Sequence, residues 1–134
     1  MGVKTSVWGP SCWQFLFCVA LNYDDNNSPD KLEKYKQFFH ALGDVLPCST
    51  CVSFYEELLK EYPFERVMES VKERYACFAW VYHIKDCVNK KLIKQEKECG
   101  KSYTKESPPF EVVLKRYLAF KSPSQTTGKC THVP

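Results

Sequence analysis

The chain has 134 residues, 44% hydrophobic and 26% charged, with a net charge of +3. These values fit one globular domain with a sizeable core and exclude a disordered chain. The mild positive charge is not gathered into a basic stripe interleaved with aromatics, so nothing in it argues for nucleic acid. Eight cysteines are many for a reduced protein and few for a disulfide-scaffold toxin; either the protein meets oxidising conditions or thiol chemistry is its work.

The first residues, Met1-Gly2-Val3-Lys4-Thr5-Ser6, fit the short N-myristoylation pattern. Lys4 and the apolar run from Cys12 to Leu21 loosely mimic a signal peptide. Gln14 interrupts that run, however, and no small-x-small site precedes Asn22. The run is also too short to span a bilayer. Pro10 suits a first helical turn and predicts a buried helix from there to about Leu21, with Cys12 and Cys18 as packing residues. Residues 22–29 (NYDDNNSP) read as a loop.

Ser28 caps a second helix, with Pro29 in its first turn. Leu32, Tyr35, Phe38, Phe39 and Leu42 form its apolar face, and Gly43 ends it. Leu46-Pro47 marks the next boundary. A third helix is expected from about Cys48 to Tyr62, with Phe54, Tyr55, Leu58 and Leu59 inward and Pro63 closing it. A fourth, longer helix is expected from about Phe64 to Leu92, turning Val67, Val71, Tyr75, Phe78, Val81 and Val88 inward. Beyond Lys94 the chain is polar until Phe110 to Phe120, a short amphipathic segment carrying Val113, Leu114, Tyr117 and Leu118. No window alternates with period two. The expected fold class is therefore all-α, a four-helix bundle with one or two short additional helices. It forms one domain over residues 1–120, and residues 121–134 are composed like a flexible arm.

Chemistry concentrates at Cys48-Ser49-Thr50-Cys51. Two cysteines three apart at a helix start share one face, and the positive end of the helix dipole favours thiolate there. A structural zinc site needs four ligands, but there is no second CxxC or HxxxH, and His40, His83 and His132 are scattered. A thioredoxin-like motif would follow a strand in a βαβ unit, which the helical periodicity denies. A plain packing pair or staple and a redox-active pair both remain open.

Other segments narrow the choice. Trp8-Gly9-Pro10, Trp13 and Leu16 open the first helix, and Trp80, His83, Asn89, Lys91 and Lys94 follow along the fourth. The ordered set WGPxxWxxL, LPCxxC, and WxxH followed by VNxKLxK resembles the Erv/ALR family of FAD-linked sulfhydryl oxidases over roughly residues 8 to 99. The resemblance implies a four-helix bundle with an additional short crosswise helix, FAD as cofactor, and a homodimer. It implies that Cys51 lies next to the flavin ring and that Cys48 exchanges with incoming thiols. Gly9, Trp13 and Trp80 would line the flavin, and His83, Asn89, Lys91 and Lys94 would hold the adenine and phosphate end. Flat aromatic faces suit flat rings, and lysines answer pyrophosphate charge. The implied reaction oxidises thiols of a protein substrate, with a thioredoxin-like carrier as one form, and passes the electrons to O2 to give H2O2. The resemblance to short forms from large DNA viruses would place the protein in the host cytoplasm or the virion.

Departures from the family pattern are specific. The family's HNxVN is replaced here by Lys85-Asp86-Cys87-Val88-Asn89, and Phe17 stands where a first-helix His is common. Lys85 offers a substitute charge. The family's second, structural disulfide has one partner matched by Cys99, but Tyr82 occupies the other, which leaves Cys77 or Cys87 as alternatives. Cys130 has no CxxC partner; half a shuttle, an intersubunit link and no role are all open. The rival to an enzyme is a non-catalytic helical interaction module with structural disulfides, for which the replaced HN positions speak.

Overall fold

A computed structural model describes residues 2–23 and 28–121. Its elements are α1 (Thr5–Leu21), α2 (Pro29–Val45), α3 (Ser49–Glu61), α4 (Phe64–Ser70), α5 (Ala76–Glu98) and α6 (Phe110–Leu118). All described regular structure is helical, as the periodicity leads one to expect. The expected arm beyond residue 121, including Cys130, lies outside the described residues, as do four residues of the expected loop at 22–29.

Two boundaries follow local chemistry directly. At α2, Ser28 accepts a hydrogen bond from the Lys31 N–H while Pro29 occupies the first turn. Before α3, Leu46 is held extended by the proline that follows it (φ −57°, ψ 130°).

Three expectations need correction. α1 starts at Thr5 rather than Pro10, so Pro10 lies inside the helix, where it removes one backbone donor. Nor is α1 buried on most sides, since Val7, Phe15 and Cys18 are exposed. Gly43 does not end α2, which continues to Val45. Gly43 is instead a packing residue: a Cβ there would stand 3.0 Å from the Tyr55 ring. The closeness lets the Tyr55 hydroxyl donate to the Phe39 carbonyl at 2.6 Å.

The expected fourth helix is two. After α4, Val71 is extended (φ −106°, ψ 106°), and helix resumes only at Ala76. No glycine or proline marks this break. At the break the Ser70 hydroxyl donates to the Arg66 carbonyl at 2.8 Å and the Lys72 ammonium to that of Met68 at 3.3 Å. Val71 consequently points outward, while Met68 and Ile84, absent from the expected inward series, are buried.

α5 packs against α1, α4 and α6, and α2 packs against α3 and α4. One core runs through all six helices. Its first aromatic group is Phe39, Phe64 and Trp80, with ring centroids 4.9–5.2 Å apart. A second joins Phe17 to Phe78 at 4.9 Å and to Tyr117 at 5.0 Å. Such pairs add about 0.5–1.5 kcal/mol each beyond their burial.

α5 ends at a left-handed glycine: Gly100 (φ 67°) lets the Lys101 N–H reach the Glu96 carbonyl at 2.7 Å. The chain then turns back along α5. Glu96 accepts from the Thr104 hydroxyl and N–H, and the Tyr82 hydroxyl donates to the Pro108 carbonyl at 2.5 Å. Phe110 sets its ring edge-on to Tyr82. This closure stands where the resemblance suggested a disulfide. Along continuous helix, Cys99 is about 25 Å from Tyr82, about 33 Å from Cys77 and about 18 Å from Cys87. A disulfide needs Cα atoms within about 7 Å, so neither Cys77 nor Cys87 bridges to Cys99 within the chain. The cysteines among the described residues are free.

Candidate dithiol site

Cys48 is the N-cap of α3, with extended backbone (φ −159°, ψ 121°). The first helical turn carries Ser49, Thr50 and Cys51, so the i, i+3 spacing puts both sulfurs on one side. The Cys48 sulfur lies 3.1 Å from the Thr50 hydroxyl. Hydrogen bonds from that hydroxyl, then from the Cys51 thiol and the Cys51 N–H, lower the Cys48 pKa to about 7. Cys51 behaves oppositely. Burial first, and the neighbouring Cys48 second, raise it to about 11, and the positive charge of Lys91 only partly offsets them. The motif thus contains an ionisable outer sulfur and a shielded inner one.

Lys91 joins α5 to this turn. Its ammonium sits 3.9 Å from the centroid of Phe54, one helical step beyond Cys51. His83, Cys87, Lys91 and Lys94 follow one another at four- and three-residue steps and so share a face of α5. On that face His83 is edge-on to Tyr62 at 4.4 Å and 3.7 Å from the Cys87 sulfur, and Lys94 is exposed. Lys90 is committed elsewhere, to Asp86 at 2.8 Å.

A second cluster occupies a different side of α5. The Lys85 ammonium lies 5.4 Å from the Trp13 ring centroid and donates to the Asn89 side-chain oxygen at 3.4 Å. Asn89, the one buried polar residue among those described, donates to the Ser107 hydroxyl at 2.9 Å. Burial lowers the pKa of Lys85. Gly9, one turn before Trp13, opens on free space, since a Cβ there would meet no atom within 4 Å.

The structure therefore brings Cys48, Cys51 and Lys91 together, and separately Trp13 and Asn89. It packs Phe17 and Trp80 into the core, where the Trp80 indole N–H is given to the Tyr62 carbonyl at 2.9 Å. Sequence reasoning gave Thr50 and Ser107 no role and read Phe54 as a core residue only. Only Thr50 carried a signal, a hydroxyl inside the CxxC at a helix N-terminus. A shallow cleft lined by Leu32, Met68, Val71 and Ala76 contains none of these residues. No helix among the described residues is long and apolar enough to cross a membrane, and no cluster there could hold a metal ion.

A helical bundle with an unequal dithiol at a helix start, and a lysine-capped aromatic face beside it, holds the groups that thiol–disulfide exchange uses. The Erv1/Alr family model matches residues 10–108. The chain belongs to the Erv1/Alr family. It is similar to a FAD-linked sulfhydryl oxidase of Saccharomyces cerevisiae, 26% identical over 98 residues, covering 73% of this chain and 47% of the relative. It is also similar to a probable FAD-linked sulfhydryl oxidase of Acanthamoeba polyphaga mimivirus, 33% identical over 82 residues, covering 61% of this chain and 56% of the relative. The chain spans about half the length of the relatives it matches.

Proposed function

We propose that this chain is a FAD-dependent thiol oxidase that forms disulfides in protein substrates through Cys48 and Cys51. The observation that carries the reading is the inequality of the two sulfurs. Cys48 is ionisable near neutrality at the mouth of the turn, and Cys51 is shielded beside Lys91 and Phe54.

In the oxidised pair, a substrate thiolate attacks the Cys48 sulfur and the Cys48–Cys51 bond breaks. Cys51 takes the electron pair, and a mixed disulfide joins the substrate to Cys48. A second substrate thiolate attacks the substrate sulfur of that bond, and Cys48 leaves as thiolate. A low pKa makes Cys48 the better leaving group, which the Thr50 hydroxyl assists. The balance is two substrate thiols converted to one disulfide, the Cys48–Cys51 bond reduced to two thiols.

The side-chain types suit a flat, anionic dinucleotide, and they stand in two groups on different sides of α5. Trp13 and Phe54 offer ring faces already visited by lysines, Gly9 leaves room beside α1, and Lys91 and Lys94 supply cations for a pyrophosphate. Gly9, Trp13 and Trp80 would line the ring system, with Phe17 standing at the family's first-helix His position. His83, Asn89, Lys91 and Lys94 would hold the adenine and phosphate end, with Lys85 beside Asn89. The chemistry FAD supplies when bound is acceptance of two electrons from the reduced pair and their transfer to O2, giving H2O2. The protein holds Cys51 where those electrons leave and Cys48 where substrate enters.

Protein thiols are the proposed substrates, with a thioredoxin-like carrier among them. Exposed Val7 and Phe15 on α1 give a second copy an apolar surface. Residues 1–120 form the working domain, and the resemblance to short viral forms puts its proposed action in host cytoplasm or virion. Purified protein should carry flavin absorbance or acquire it from added FAD, and should consume oxygen with dithiothreitol. Cys51→Ser should abolish that uptake. Protein that never takes up FAD, or a fully active Cys51→Ser variant, would refute the proposal.

A further inference from the structure

The residues before α1 lie against the dithiol turn. Three independent features fix them there. The Val3 N–H donates to the Pro47 carbonyl at 2.7 Å. The Trp8 indole N–H donates to the Val3 carbonyl at 2.9 Å, folding the first turn of α1 over the segment. Gly2 lies so close that a Cβ would stand 2.4 Å from the Pro47 oxygen and 3.0 Å from the Cys48 Cα. A side chain at position 2 would therefore collide with the backbone of the Pro47–Cys48 peptide.

We infer that Gly2–Lys4 is a positioning strap for Cys48, which pins the Pro47–Cys48 peptide and so sets where the outer sulfur stands over the first turn of α3. That peptide is held on both sides, its carbonyl by Val3 and its N–H by the Leu46 carbonyl at 2.8 Å. Rotation of this plane would swing the Cys48 Cα–Cβ bond away from Thr50, whose hydroxyl depends on a 3.1 Å approach to the sulfur. The strap touches no reacting atom. It acts through the backbone of the residue that does.

The inference rests on Cys48 being the exchanging sulfur, and its test is separable from turnover. In fully reduced full-length protein, the pH profile of iodoacetamide alkylation at Cys48 is read by peptide mapping, with exposed Cys99 as internal reference. Gly2→Val should push the strap off. The Cys48 profile should then move to higher pH, with alkylation at pH 7 slowed about threefold or more and Cys99 unchanged. Trp8→Phe, which deletes only the indole bond, should shift it in the same direction by less. Thermal melts identify folded variants. An unmoved Cys48 profile in folded Gly2→Val overturns the strap, whatever the oxidase activity. Absence of oxygen uptake in flavin-loaded wild type sinks the oxidase reading and leaves the alkylation result standing.

Discussion

Replacing Thr50 with alanine removes one hydroxyl, 3.1 Å from the Cys48 sulfur, and leaves the first turn of α3 otherwise intact. That hydroxyl is the largest of the influences that bring Cys48 to about 7. Losing a charge-assisted bond at this half-buried sulfur should make its ionisation roughly tenfold less favourable. At pH 7 the thiolate fraction would fall from about half to about a tenth, so alkylation of Cys48 should slow roughly fivefold. Stopped-time iodoacetamide labelling between pH 5.5 and 9.5, quantified by mass spectrometry, reads this directly. Thr50→Ser keeps the hydroxyl and should restore most of the rate. If the Thr50→Ala profile overlays the wild type, the hydroxyl does not hold the thiolate and the leaving-group argument fails.

Gly43→Ala should destabilise the fold by about 1–3 kcal/mol through overpacking against Tyr55, measured as a lower urea midpoint; an unchanged midpoint would remove Gly43 from the helix contact. Burial raises Cys77 far above the usual thiol range. The unfolded chain therefore ionises it first, near pH 9, while the native state does not. Its contribution is fully present below pH 9 and declines as pH rises beyond it, so Cys77→Ala should flatten the fall in Tm between pH 9 and 10.5. Lys91→Gln should weaken FAD retention, followed by flavin release on dialysis; equal retention would leave Lys91 with Phe54 alone. Tyr82→Phe should cost about 1 kcal/mol and speed amide exchange in residues 101–109; unaltered exchange would mean the hydroxyl is not what holds that segment.

The helix starts at Ser28-Pro29 and after Leu46-Pro47 were legible because each is written in adjacent residues whose chemistry is local. The break after Ser70 was not, since no glycine or proline stands there to mark it. Gly43 was misread for a related reason: a glycine near a helix end suggests termination until a neighbouring ring, here Tyr55, is known to press on it. At the site, Cys48 and Cys51 stood out by spacing, and the tryptophans and lysines by resemblance. Spacing alone does not tell a core tryptophan from an exposed one, so the deep burial of Trp80 and the partial burial of Trp13 emerged only from packing. The contacts of Thr50 and Gly2 depend on a side-chain rotamer and on a contact between distant parts of the chain.

The Tyr82–Pro108 closure has a practical consequence. Among the described residues the returning segment is secured by a hydroxyl and a ring edge, not by sulfur. A reductant strong enough to open the working pair leaves that clasp untouched. The scaffold should melt at the same temperature with or without millimolar dithiothreitol, so a reducing bath leaves the fold's shape intact.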